Sequence, residues 1–412
     1  MIKPATQVRE GLPVAVIDAR GNRPAKPVQS PPVLAMGFRI FFLLGALSAV
    51  VLVPLWMAVY AFGVRLPAVV QPMAWHAHEM LFGFVAAIMA GFLLTAPGNW
   101  TGRPMPKGAA LGGLALLWLA GRVSPLLSGV APGWLLLLVD VAFLPVLGGV
   151  VYGALRGLPG QRHNLVFPLL LTAMTAANVL AHLQLRNRWG VAVGTEGMLY
   201  LVLILITLLG GRVIPGFTQG QFPHGSTRLH PALDRWCAGL LLALMAVDLL
   251  GAPPPWVAGL SLLAAGAHAA RLAGWFTHEL LRVPLLWVLH LGYAWLVLGL
   301  VLKAGALLGV CPPMLFRHAF TVGTVGGIIL GMICRITLGH TGRPMRLPRF
   351  MATAFVLVNL AALLRVIFPW LDPAHQPLWL KLAALAWATA YGLFLWQEGP
   401  MLWRPRADGR PG

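Results

Sequence analysis

Two histidines and a glutamate fall within four positions in WHAHEM, residues 75–80, at the entrance to an apolar run of about seventeen residues. Imidazole is the commonest nitrogen ligand for haem iron, copper and zinc. At 3.6 residues per turn, His76 and His78 point about 200° apart, so a helix would not offer both to one ion. They would serve two centres on opposite sides, or one would be a ligand and the other a proton or propionate partner. Glu79 lies three residues from His76 and shares its helical face, where a carboxylate can orient an imidazole by accepting its second N–H. Asn178 precedes His182 by four residues and suits the same task more weakly.

The elements that must position these groups are membrane helices. The chain has 412 residues, 58% of them apolar and only 10% charged, against roughly 25% charged in soluble domains. A spanning helix needs about 20 apolar residues. Runs of that length give twelve expected segments, at 38–62, 76–96, 108–128, 132–155, 164–185, 196–216, 231–251, 255–275, 284–308, 316–338, 349–370 and 376–398. The fold class is therefore all-α and polytopic. A polar, Pro/Arg-rich tail is expected at 1–35, a single transmembrane domain at 36–400 and a second tail at 401–412. The first tail has no apolar stretch of signal-peptide type.

The net charge of +19 does not indicate nucleic acid, because the basic residues punctuate apolar segments. Placing the tails and the even-numbered loops on one side collects 22 of the 30 Lys and Arg there, among them Arg103, Lys107, Arg343 and Arg346, and leaves 8 on the other. The positive-inside rule puts both termini in the cytoplasm. Cys237, Cys311 and Cys334 show no CxxC spacing, which argues against a disulfide framework or a thiolate zinc site.

With that topology, His76, His78, His182 and His318 share one depth near the outer face on three helices. His290 lies deeper and His340 at the cytoplasmic end of segment ten. Histidines from several helices at one level are what a metal site inside a bundle requires, and ionisable residues within a bilayer are costly and usually functional. Glu79, Asp140, Glu196 and Asp248 also fall in the outer half, as proton carriers, cation ligands or interfacial groups. Arg186, Arg188 and Arg317 stand at the outer surface, either as anchors or as partners for haem propionates.

An internal echo runs through the chain. TGRPM at 101–105 recurs at 341–345, a separation of 240 residues, and LLGGRVIPG at 208–216 is a looser copy. These strings end segments two, six and ten, which fits three pseudo-repeated four-helix units. A Gly-Arg-Pro step that merely ends a helix at an interface would also produce them.

FRIFFLLGALSAV (38–50), WHAHEMLFGF (75–84), GFLLTAPGNWTGRP (91–104), LLGGRVIPGFT (208–218), PLLWVLHLGYAWL (284–296) and RHAFTVGTVGGIILGMICRITLGHTGRP (317–344) together resemble the NnrS family over nearly the whole chain. The resemblance implies a multi-pass bacterial inner-membrane protein that carries haem b and copper and takes part in the response to nitric oxide. It also implies cofactor-binding roles for His76, His78, His182, His290, His318 and His340, with all but His340 as metal ligands and Glu79 beside them, but not which of them meets iron and which copper. The layout is similar to the catalytic subunit of haem–copper oxidases, but the adjacent His-His pair of those enzymes is absent, so oxygen reduction does not follow.

Two other functions fit the residues. A secondary transporter of a metal ion or small anion would also show twelve helices and repeats, with the histidines as transient ligands. An accessory protein that delivers haem or copper to another complex would bind metal loosely. Stoichiometric pigment separates a resident-cofactor protein from a transporter.

Overall fold

The computed structural model describes residues 30–65, 71–185, 193–223, 227–228 and 230–410. Among them the chain is helical nearly throughout, with no β-strand. The helices are α1 (Gly37–Phe62), α2 (Pro72–Thr101), α3 (Ala109–Leu127), α4 (Gly133–Leu155), α5 (Pro159–Leu183), α6 (Val193–Gln221), α7 (Pro231–Leu249), α8 (Pro254–Trp275), α9 (Pro284–Leu307), α10 (Met314–His340), α11 (Met351–Leu371) and α12 (Pro373–Gln397). A short helix α13 (Gly399–Trp403) follows.

Eleven of these are long and apolar enough to cross a membrane. The expected seventh segment, α7, is helical but carries Asp234, Arg235 and Asp248. It packs against α6 and α8, and its acids are ion-paired to residues of neighbouring helices. Arg271 Nε donates to Asp234 at 2.6 Å, and Lys303 Nζ donates to Asp248 at 2.8 Å. The chain is thus an all-α polytopic membrane protein.

Helix boundaries follow local chemistry. Pro72, Pro254 and Pro284 each open a helix, where the missing N–H costs nothing and φ is preset. The TGRPM strings are helix stops. Gly102, directly after α2, and Gly342, one residue past the Thr341 cap of α10, adopt φ of 69° and 70°, the left-handed conformation that closes a helix C-terminus most cheaply with glycine. Arg103 then turns back to donate to the carbonyls of Gly153, Ala154 and Arg156 at the end of α4, consistent with an arginine complementing a helix C-terminus.

The most buried helices are α2, α6 and α10, which sit at the centre with α9 beside them. Those three are the helices that carry the echoed strings: TGRPM ends α2 and α10, whereas α6 continues through LLGGRVIPG to Gln221 with Pro215 inside it. A single apolar core runs through the bundle. The bundle end that carries WHAHEM is called outer below, after the charge count.

Candidate metal centre

α2 begins as an α-helix and changes to a π-helical segment at Glu79–Val85. The WHAHEM residues therefore lie inside a helix, not at its mouth. π-segments are rare and often sit at functional sites. This one is braced by α3, whose Trp118 Nε1 donates to the Gly83 carbonyl at 3.1 Å.

The two histidines part, as the helical spacing requires. His76 stacks on Trp56 of α1, with ring centroids 4.6 Å apart and an interplanar angle of 16°. His78 is fully buried and turns toward α4 and α5. Its Nε2 lies 3.0 Å from Asn178 Oδ1 and 3.1 Å from Asp140 Oδ2. His182 Nε2 meets the same Asp140 oxygen at 2.8 Å. The three donor atoms of His78, Asp140 and His182 lie within 4.8 Å of one another, the spacing of a metal site.

A ring of polar groups fixes this trio. Glu79 Oε1 lies 3.3 Å from His78 Nδ1, so the carboxylate serves His78 and not His76. The cause is Arg122 of α3, which donates to Glu79 Oε2 at 2.8 Å and also to Asp140 Oδ1. Asn178 likewise faces His78, and its Nδ2 donates to Asp140 Oδ2 at 3.1 Å. It does not reach His182, for which the four-residue spacing suggested it. Arg122 is the member that sequence reading missed. Its signal was an arginine near the end of the apolar stretch ALLWLAGRV, where a charge within a spanning helix calls for a partner.

Two carboxylates face one guanidinium here, in a buried site. Both nitrogens of His78 face acceptor oxygens. The trio therefore suits a cation: a proton shared among the rings, or a divalent first-row ion held by two imidazoles and a carboxylate. With a metal on Nε2, Glu79 would accept the Nδ1 proton, the usual way a ligating imidazole is oriented.

The remaining expected residues are dispersed. His318, on α10, bonds its Nδ1 to the Met314 carbonyl at 2.8 Å and stands in a separate corner with His76. His290 bonds Nδ1 to the Leu286 carbonyl at 3.0 Å and keeps a buried Nε2 without a hydrogen bond. Glu196 pairs with Arg317 at 2.5 Å. Asp248 accepts from Tyr200 and Lys303. Among the described residues the outer acids pair in three places, and no hydrogen bond links Glu79 and Asp140 to Glu196 or Asp248. Arg186 and Arg188 lie outside the described residues.

His340 lines a cavity of about 530 Å³ at the other end of the bundle. The cavity is walled by α2, α6 and α10, and His163, Asn164 and Arg212 also reach it. Phe92, Leu209, Val213, Met332 and Ile336 are shared with a purely apolar extension of about 100 Å³ that leads into the core. His163 is exposed and reaches the cavity from its rim.

No curated protein and no solved structure matches the chain. The family model described as NnrS protein matches residues 32–406, nearly its full length, and the chain belongs to the NnrS family.

Proposed function

We propose that the protein is a haem- and copper-binding inner-membrane protein of the response to nitric oxide and nitrosative stress. The observation that carries this reading is the buried His78–Asp140–His182 trio, with Glu79 and Arg122 bonded to it. Two imidazoles and one carboxylate are an acceptable donor set for copper, and Glu79 and Asn178 hold the set in place. Haem b fits the cavity beside His340. Its volume is of the size of cofactor sites, about 300–1,000 Å³, its walls are mostly apolar, and His340 and His163 offer imidazoles while Arg212 offers a cation for propionates.

When bound, the two groups would supply one-electron chemistry and would bind a diatomic ligand. The chain supplies the rest. Asp140 and the two histidines fix the ion. Arg122 bonds to both carboxylates and prevents either from rotating away. Glu79 sets the tautomer of His78. The core excludes water from the trio, and a small apolar gas that partitions into lipid can reach it. Both termini are assigned to the cytoplasm on the charge count.

The test is an optical spectrum of the purified protein, oxidised and reduced with dithionite, with nitric oxide added to the reduced form. A haem b spectrum that shifts with nitric oxide supports the reading. A colourless protein overturns it and returns the transporter reading.

A further inference from the structure

The echo between α2 and α10 extends well beyond TGRPM. At the same separation of 240 residues, His78 matches His318, Gly83 matches Gly323, Val85 matches Val325, Ile88 matches Ile328 and Gly91 matches Gly331. The backbone repeats too. A π-helical segment starts at Glu79 in α2 and at its equivalent, Ala319, in α10. Each is followed by a helix with an Arg-Val step near its outer end, Arg122-Val123 in α3 and Arg365-Val366 in α11. The bundle therefore has two outer corners of related construction, each with a histidine ahead of a π-segment and an arginine on the next helix.

The corners differ in charge. Arg122 meets Glu79 and Asp140. At the second corner Ala319 stands where Glu79 stood, and among the described residues no carboxylate reaches Arg365. Its Nη1 is buried without a hydrogen-bond partner. Arg365 lies close enough for its charge to act on both His76 and His318, and Tyr60 is the other titratable group near it. His318 has committed Nδ1 to a carbonyl, so its Nε2 remains available. His76 is held flat by Trp56 and makes no hydrogen bond among the described residues. Arg365 is six residues short of the end of α11, about 9 Å inward at 1.5 Å per residue.

An arginine set among apolar helices without a counter-charge is costly, and the buried, unsatisfied Nη1 calls for a missing partner. We propose that the corner formed by Arg365, His318 and His76 binds an oxyanionic group. The planar guanidinium fork matches nitrite, carboxylate or phosphate oxygens, and the ring N–H of His76 supplies a further donor; His318, whose Nδ1 proton goes to the Met314 carbonyl, donates from Nε2 only as the imidazolium. The first corner is thus built for a cation and the second for an anion, on one repeated scaffold. The oxyanion is either a small free ion or the phosphate of a lipid headgroup reaching into the corner.

The experiment is calorimetric titration of the full-length protein in non-ionic detergent with sodium nitrite, with phosphorus analysis of the same sample. Saturable binding near one per chain identifies a free ion; one retained phospholipid per chain identifies a headgroup. Arg365→Gln should weaken the nitrite binding at least tenfold or release the lipid. Ala319→Glu, which restores the carboxylate of the first corner, should do the same while keeping the arginine, and it covers the case in which Arg365→Gln does not fold. Absence of both nitrite binding and retained phosphorus, or binding unchanged in both variants, would overturn the proposal.

Discussion

The imidazole rings of His78 and His182 stand 5.0 Å apart at an interplanar angle of 70°. One residue comes from the start of α2 and the other from the end of α5, and a single oxygen of Asp140 on α4 faces both. Nothing in the local sequence of any one helix requires this meeting. It is set by the packing of α2 through α5, with Arg122 tying the two carboxylates of the site together.

Arg122 gives the first prediction. Arg122→Gln leaves two carboxylates buried without a counter-charge, and removing one partner of a buried ion pair costs about 3–5 kcal/mol. The variant should lose thermal stability in detergent, and raising copper should restore part of the loss, because the ion then takes over the compensating role. A melting temperature equal to that of the wild type would remove Arg122 from this account.

Gly194 tests the packing. A Cβ at this position of α6 would collide with the backbone of Ala181 and with the Ala177 carbonyl on α5, on either side of Asn178 and one residue from His182. Gly194→Ala must push the helices apart, at about 1–3 kcal/mol for overpacking. The account expects a lower melting temperature together with weaker metal retention, measured by dialysis against a chelator. Lower stability with unaltered retention would show that the α5–α6 contact does not position His182.

The inner cavity is tested by a pair of variants. His340→Ala should abolish the haem absorbance while copper remains. His230→Ala, in the loop just before α7, should leave both. Loss of either cofactor in the His230 variant would contradict the placement of that loop.

Glu398 provides a pH prediction. It lies just past α12 and is fully buried, where it accepts a hydrogen bond from the Cys334 thiol. Burial pushes its carboxyl up to about 8. The folded state therefore keeps a proton that the unfolded chain releases near the usual carboxyl value of 4.5. Stability should be fullest below that value and fall as pH rises towards 8. Glu398→Gln should flatten this fall, read from unfolding temperatures between pH 5 and 8. An unchanged slope would place the pH dependence elsewhere.

Much of the fold was legible in the sequence, because an apolar run of spanning length has few alternatives in a bilayer. Even α7, whose three charges take it below the apolarity of the others, was marked by its place between two clear segments. The divergence of His76 and His78 was also legible, since helical spacing alone dictates it. The partners were not. Glu79 shares a face with His76 on an ideal helix, yet the π-segment begins at Glu79 itself and Arg122 holds the carboxylate beside His78. Four histidines at one depth suggested one site, but depth does not give the angle around the bundle, and the structure divides them into two corners. The cavity at His340 arises from three helix ends meeting, which periodicity within one helix cannot report.

The central claim is that Asp140, His78 and His182 hold a metal ion. Elemental analysis of purified wild-type protein and of Asp140→Ala, after loading with copper and removal of excess, tests it most directly. The account predicts close to one copper per chain in the wild type and at least a tenfold loss in the variant, with helical content unchanged by circular dichroism. A wild type that retains no copper, or a folded variant that retains it fully, would contradict the account.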